Sequence, residues 1–441
     1  MELTDLGAVQ LAQMIKNGEI TASELIDACL RQIDATDQDI GAWAHLDRDF
    51  ARQQAANRDT LRASGVPVGP LHGIPVAIKD IFDTKDYPTE NGTPLDVGRA
   101  PIKDSTVVSL LKAAGAVILG KTVTTELAVF SPGKTRNPHD PARTPGGSSS
   151  GSAAAVAAKM VPLAVGSQTN GSVIRPASFC GVVGFKPSHG RISRSGALVL
   201  SRTLDHVGLF ARSLADVALI GDCLIAHDPV DPDTQPGAAP RLLEIAEHEP
   251  PATPKFAFIK TPAWDRAAPS TQAAFAELHE FLGPHCDEIA LPGEFDVAVN
   301  NLATIMTADL ARYLAGYRKR GEDQISDILR AMMDDGAAVS AVSYNNCLDQ
   351  IGPLRAWVKS LCDDYDAIIT PATRGEAPRG LESTGDPIFC TIWTYLGVPA
   401  LSLPLLEGEA GLPLGVQLVA TNGDDARLLR TARWLANHVM S

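Results

Sequence analysis

Along this chain, short runs of consecutive apolar residues alternate with segments whose apolar positions recur every three to four residues. The runs predict strands at Ile74–Ile78, Ala116–Leu119, Val161–Val165 and Val182–Phe185, then at Phe256–Ile259 and Ala367–Thr370. Ala400–Leu405 and Gly415–Ala420 are two more, placed to form a hairpin or neighbouring strands. Helical patterns fall at Ser105–Ala114 and Ser152–Lys159, over long segments from about 270 to 365, and from about Asp424 to Val439. The first 35 residues predict two short helices. The second begins at Thr21 and Glu24, which have capping-box spacing, and runs to about Asp34. Alternation of this kind predicts an α/β fold with a central sheet covered by helices.

The 441-residue length gives a prior of about three domains at roughly 150 residues each. The pattern along the chain favours fewer. Nothing repeats at a fixed period, and the one change of texture is a connection of about 228–254 that carries seven prolines. We therefore expect a single unit over 1–441, with short N-terminal helices (about 1–60), that Pro-rich connection, and a helical insertion (about 260–365).

Charge narrows the function classes. With 52 Asp and Glu against 38 Lys and Arg the net charge is −14, which argues against nucleic-acid binding by bulk electrostatics. The seven cysteines show no CxxC or Cys/His metal spacing, so reduced and mostly buried thiols in a cytoplasmic protein are expected. The first twenty residues lack a basic stretch ahead of an apolar core, so no signal peptide is expected. No run approaches 18 apolar residues, and no membrane association is expected.

Two short motifs suggest chemistry and fail on context. Gly115-Ala-Val-Ile-Leu-Gly-Lys121-Thr122 fits the P-loop pattern, but its four middle residues favour a buried strand over a phosphate-wrapping loop. Gly147-Ser-Ser149-Ser-Gly151 fits the nucleophile elbow of α/β-hydrolases. That elbow needs a strand directly before the serine, and the prolines of Asn137–Pro145 exclude one. Its histidine partner would also have to come late in the chain, where only His438 stands.

A third constellation is larger. Pro145-Gly-Gly-Ser148-Ser-Ser-Gly-Ser-Ala-Ala-Ala-Val156 is a Gly/Ser loop opening a helix, and Gln168-Thr-Asn-Gly-Ser172-Val-Ile-Arg175-Pro is a second polar loop that also opens a helix. Upstream, Lys79 ends the apolar run of Gly73-Ile-Pro-Val-Ala-Ile-Lys79-Asp80. Acyl transfer needs a nucleophile, a base that is neutral when it acts, and donors for the oxyanion. Serines in Gly-rich turns supply exposed hydroxyls and free amides, and a lysine in a dry pocket loses its preference for charge. Together these residues allow a Ser/Ser/Lys hydrolase that uses no histidine.

These segments resemble the amidase signature family, and the resemblance runs from about residue 4 to 438. It extends to Gly120-Lys-Thr, Gly181-Val-Val-Gly-Phe-Lys-Pro187, Asp205-His-Val-Gly208, Trp393-Thr-Tyr-Leu-Gly-Val-Pro-Ala400 and Leu412-Pro-Leu-Gly-Val-Gln-Leu418. It implies the amidase signature fold, with a central mixed twisted sheet covered by helices on both faces. It also implies Ser172 as acyl nucleophile, Ser148 as bridging serine after a cis peptide to Gly147, and Lys79 as base. The oxyanion would rest on N–H groups of the turn Thr169-Asn170-Gly171-Ser172, with Gln168, Ser149 and Asp80 as supporting groups.

The chain departs from the common family pattern in two places. Gln168 and Asn170 stand where many members have Asp and Gly, so Asn170 has to fit a turn that favours positive φ, for which Asn is suited. Arg175 follows Val173 and Ile174, in a Ser-Val-Ile-Arg-Pro order similar to the malonamidase-like branch, as are Pro88-Thr-Glu90-Asn-Gly and Ser383-Thr-Gly-Asp-Pro387. In that branch the matching arginine binds a substrate carboxylate, which a planar guanidinium suits. The alternative for Arg175 is a structural ion pair or a loop cap. Bland roles are expected elsewhere: structural hydrogen bonds for His72, His139, His189 and His206, support of the fold for Lys186, packing for Cys180. Cys390 is expected to pack or to line the pocket.

The function expected is hydrolysis of a small, carboxylate-bearing amide or ureido compound, with no cofactor and no metal. Expected partners are the small-molecule substrate and a possible homodimer, with no nucleic acid. The alternative is the glutaminase subunit of a tRNA-dependent amidotransferase. A non-catalytic or nucleotide-binding protein ranks below both.

Overall fold

The computed structural model of the protein describes residues 2–440. Eleven strands form one sheet: β1 Trp43–Leu46, β2 Pro75–Lys79, β3 Val117–Thr122, β4 Leu163–Gln168, β5 Val183–Lys186, β6 His206–Ala211, β7 Phe256–Phe258, β8 Cys286–Glu288, β9 Ala367–Pro371, β10 Ala400–Glu407 and β11 Pro413–Val419. Their order is β1-β3-β2-β4-β6-β5-β10-β11-β9-β7-β8. The sheet is mixed. β2 pairs in parallel with β3 and β4, and β7 with β8 and β9, while every other neighbouring pair is antiparallel.

Helices cover both faces, as the sequence leads one to expect of an α/β chain. Ser150–Ala157 and Ile174–Cys180 pack together on one face; Leu214–Leu224 and Asp425–Met440 pack together on the other. Central strands buried on both sides are mostly apolar, and β2, β3 and β6 are buried at every position, the polar Lys79, Lys121, Thr122 and His206 included. A contiguous cluster of buried apolar side chains runs from Leu6 to Leu435.

Local signals set the helix ends. Thr21 and Glu24 form the expected capping box, but the helix continues past Asp34 to Ile40 and stops where Gly41 turns left-handed at φ 66°. Ser105 caps the helix Thr106–Ala113, its hydroxyl accepting the Val108 N–H. The Pro-rich connection holds a six-residue helix at Leu242–Glu247 whose Leu242 and Ala246 are buried. Its aspartates are also tied down: Asp228 accepts from Ser193 and Thr106 (both 2.6 Å), and Asp231 pairs with Arg194 (2.6 Å).

The P-loop pattern folds as β3 itself, with Gly120, Lys121 and Thr122 inside the strand. Lys121 Nζ is buried and donates to Asp80 (3.0 Å), the Pro88 carbonyl (3.2 Å) and Thr89 (2.6 Å), leaving no phosphate cradle. β10 and β11 form the antiparallel pair that their apolar runs suggest.

Beyond the sheet, a run of helices includes Ala298–Tyr313, Asp327–Ala337, Ala341–Asp349 and Ile351–Asp364. The first packs on helix Ile388–Tyr395 and brings Met306 and Leu310 toward the C-terminal end of β4.

Candidate active site

β2 ends at Lys79, β4 ends at Gln168, and the two run parallel side by side. That register places Lys79 next to Ser167, whose Oγ lies 2.9 Å from Nζ. The loop ahead of helix Ser150–Ala157 delivers Ser148 to the same point, with its Oγ 2.7 Å from Nζ across a cis Gly147–Ser148 peptide. Lys79 is completely buried. Burial pushes its pKa well below the ordinary lysine value, and Asp205 is the charge that opposes this shift.

Ser172 stands four residues past the end of β4 and is 9% exposed. Among the described residues its Oγ makes no hydrogen bond, to Ser148 or to anything else, so the structure brings Lys79 and Ser148 together but leaves the nucleophile candidate open. It faces a small cavity, ≈ 20 Å³, walled by Ala128, Val129, Phe130, Met306, Leu310 and Pro387. Leu127 and Ala128 hold φ of 45° and 58°, an uncommon conformation for residues with side chains, directly beside this cavity.

The turn between β4 and helix Ile174–Cys180 is held from outside. Gln168 Oε1 accepts the N–H groups of Val173 (2.8 Å) and Ile174 (3.0 Å), while its Nε2 donates to Thr394 (2.8 Å). The preceding N–H groups, at Asn170, Gly171 and Ser172, donate to nothing among the described residues. A turn pinned by Gln168 with its amides unspent can receive an oxyanion. Gly171 has to be glycine on packing grounds: a Cβ there would lie 2.7 Å from Pro387 Cβ.

Asn170 differs from expectation. It does not use a positive φ, and its Oδ1 accepts from Thr391 (2.8 Å) while its carbonyl accepts from Thr394 (2.5 Å). Two threonines one helical turn apart hold this residue, so its backbone needs no left-handed freedom.

Arg175 is 1% exposed and lines the same cavity. Its terminal nitrogens donate to the carbonyls of Gly385 (2.8 Å) and Gly147 (2.7 Å) and to Thr384 Oγ1 (3.0 Å); Nε has no partner among the described residues. Burial brings its pKa down to about 10. Ser149, the elbow candidate, is locked at both ends, with Oγ donating to the Ser167 carbonyl and accepting the Ser167 N–H (both 3.1 Å). Asp80 lies in its ion pair with Lys121 and contacts no serine hydroxyl of this site.

The bland readings hold. His72, His139, His189 and His206 each place a ring nitrogen on a backbone carbonyl. Lys186 bonds the Val398 carbonyl, and Cys180 and Cys390 are fully buried thiols. Sequence reasoning missed Ser167 and Asp205. Ser167 directly precedes Gln168 with no motif to mark it, and Asp205 opens Asp205-His-Val-Gly208, where family texture alone does not single out its carboxylate.

A family model described as Amidase matches residues 24–429. A glutamyl-tRNA(Gln) amidotransferase subunit from Salinispora arenicola is 33% identical, covering 99% of this chain and 98% of its own. A solved structure described as part of an unexpected vestigial protein complex, on the origins of an s-triazine catabolic enzyme, superposes with a TM-score of 0.91 at 29% identity, covering 98% of each chain. A 6-aminohexanoate cyclic dimer hydrolase in complex with substrate gives 0.86 at 26% identity, covering 100% of this chain and 98% of that one. The first of these relatives is named for a tRNA, and as one subunit of an enzyme. That overturns the expectation that no nucleic acid is involved and that a small-molecule substrate and a possible second copy are the only partners. A net charge of −14 sums the whole surface and does not bar a catalytic subunit from an assembly whose nucleic-acid contacts lie elsewhere.

Proposed function

The chain belongs to the amidase family and is an amidohydrolase, and from that premise we propose that it releases ammonia from a primary carboxamide through an acyl-enzyme on Ser172. Neutral Lys79 takes a proton from Ser148 as Ser148 takes one from Ser172, and Ser172 Oγ attacks the amide carbon. The tetrahedral oxyanion accepts from the unspent N–H groups of the Asn170–Ser172 turn. The relay then returns a proton to the departing nitrogen, ammonia leaves, and water repeats the steps to free the acid. The observation that carries this chemistry is the buried Lys79 Nζ at 2.7 Å from Ser148 Oγ.

For the substrate we favour glutamine, with the chain acting as the ammonia-generating subunit of an amidotransferase-type assembly. The support is the end-to-end match to a relative named as such a subunit, from 99% of this chain to 98% of the other. A second reading is a stand-alone hydrolase of a short carboxylate-bearing amide or ureido compound. Arg175 favours it, since this buried residue lines the cavity with Nε unpartnered among the described residues. We place the protein in the cytoplasm, where its seven free thiols would persist. No helix among the described residues is long and apolar enough to cross a membrane.

Ammonia release from glutamine, short dicarboxylic monoamides and carboxylated ureas, with and without copurifying proteins, tests the choice. We expect glutamine turnover that depends on those proteins. Full turnover of a short monoamide by the chain alone, with glutamine inert, overturns it in favour of the second reading.

Arg175 carries a separate prediction. Because its terminal donors hold the Gly147 carbonyl and the 384–385 segment, Arg175→Ala is expected to lower kcat by about 10²-fold on neutral and carboxylate-bearing amides alike. A loss confined to carboxylate substrates would show instead that direct ligand contact is its main role.

A further inference from the structure

A second and larger cavity, ≈ 280 Å³, shares Thr169 and Leu200 with the small one at Ser172. These two residues are the wall between the spaces. On the larger side the wall continues through Ser167, the hydroxyl that lies against Lys79, and through Asp205. Asp205 immediately precedes β6, where His206 stands opposite Gln168 of β4, so the register that sets the nucleophile turn also sets Asp205 beside it.

The hydrogen bonds of Asp205 converge on the wall. Oδ1 accepts from Thr169 Oγ1 (2.7 Å); Oδ2 accepts the N–H groups of Leu200 (2.9 Å) and Ser201 (3.0 Å). One carboxylate therefore fixes both residues shared by the cavities, and the first of them opens the Thr169–Ser172 turn. The charges around it are few. Lys79, which bonds Ser167 of the same cavity wall, feels its charge; Arg194 is already paired with Asp231 and Asp233, and burial keeps His206 neutral. Asp80 is engaged with Lys121.

We propose that Asp205 is a positioning residue of the acyl-transfer site, holding Thr169 and Leu200 in the wall beside the nucleophile and supplying the negative charge that Lys79 feels. The inference rests on Lys79 acting as the neutral base. Burial raises the Asp205 carboxyl to about 6, and above that pH its charge favours the protonated form of Lys79, against the burial that lowers the lysine. Removing the Asp205 charge makes protonated Lys79 less favourable, which moves the acid limb of activity to lower pH.

The rate of labelling by a fluorophosphonate, followed against pH on the full-length protein, reads this without a known substrate. Asp205→Asn is expected to slow labelling by up to about 10²-fold and to move the acid limb about one pH unit downward. Thr169→Val breaks the same bond from its other end but keeps the carboxyl, and is expected to slow labelling with a smaller shift of the limb than Asp205→Asn gives. An Asp205→Asn limb at the wild-type pH overturns the charge role, and wild-type labelling in Thr169→Val overturns the positioning role. A failure of the base reading itself looks different: Lys79→Met would then keep the wild-type limb.

Discussion

Ser172→Ala is expected to abolish ammonia release and fluorophosphonate labelling together, with a loss in kcat on the order of 10⁶, the scale seen when a serine hydrolase loses its nucleophile. The fold should be untouched. Ser172 Oγ holds no hydrogen bond among the described residues, so removing it breaks no contact and leaves no buried group unpaired. Melting temperature is therefore expected to stay at the wild-type value while activity disappears. Ser148→Ala is the instructive contrast, because its hydroxyl is the nearer of the two that Lys79 bonds, and its loss strips the proposed relay while Ser172 remains. The competing serine makes the experiment decisive. Ser149 is tied to both backbone groups of Ser167, and attack by it would require breaking both bonds. Label recovered on Ser149 after digestion, with Ser172→Ala still reactive, would falsify the assignment.

The readable parts of the fold are those written locally. Apolar runs announce β2, β3, β4 and β5 to within a few residues, and the capping box at Thr21 announces its helix. β6 does not read as a strand, because a charge at Asp205 directly precedes it and His206 and Gly208 put an imidazole and a glycine into what becomes a buried ladder between β4 and β5. Lys79, Ser148 and Ser172, the residues proposed to carry the chemistry, stand out by type and spacing. What surrounds them does not. Lys79 meets Ser167 across 88 residues, and Arg175 reaches Gly385 across 210, contacts set by strand order that no local pattern encodes. Asn170 shows the same limit from the other direction: what Asn tolerates suggests a left-handed turn, whereas Thr391 and Thr394 from a distant helix decide its geometry. Net charge misleads for a related reason. It describes the whole surface, and partner choice depends on one part of it.

Lys79→Met is expected to lower kcat by about 10²–10⁴-fold, the usual worth of a positioned general base, and at the same time to stabilise the protein. Both effects have one cause. A fully buried amine whose pKa burial has pushed well down holds its proton less tightly in the native protein than in the unfolded chain, and the proposed base role has it neutral in the native protein at neutral pH. Folding must therefore remove a proton, which costs stability, while a methionine of similar shape has none to lose. The sign over pH follows. Between the depressed native value and the unfolded value of about 10.4, the unfolded chain binds one more proton than the native one, so wild-type stability gains from rising pH in that window. The methionine variant lacks this contribution. Urea unfolding of both proteins from about pH 6.5 to 9.5 should therefore show the variant more stable at the low end, with the gap narrowing steadily toward the high end. A gap that stays constant across the range would mean that native Lys79 keeps its proton, and a charged ammonium cannot take one from Ser148.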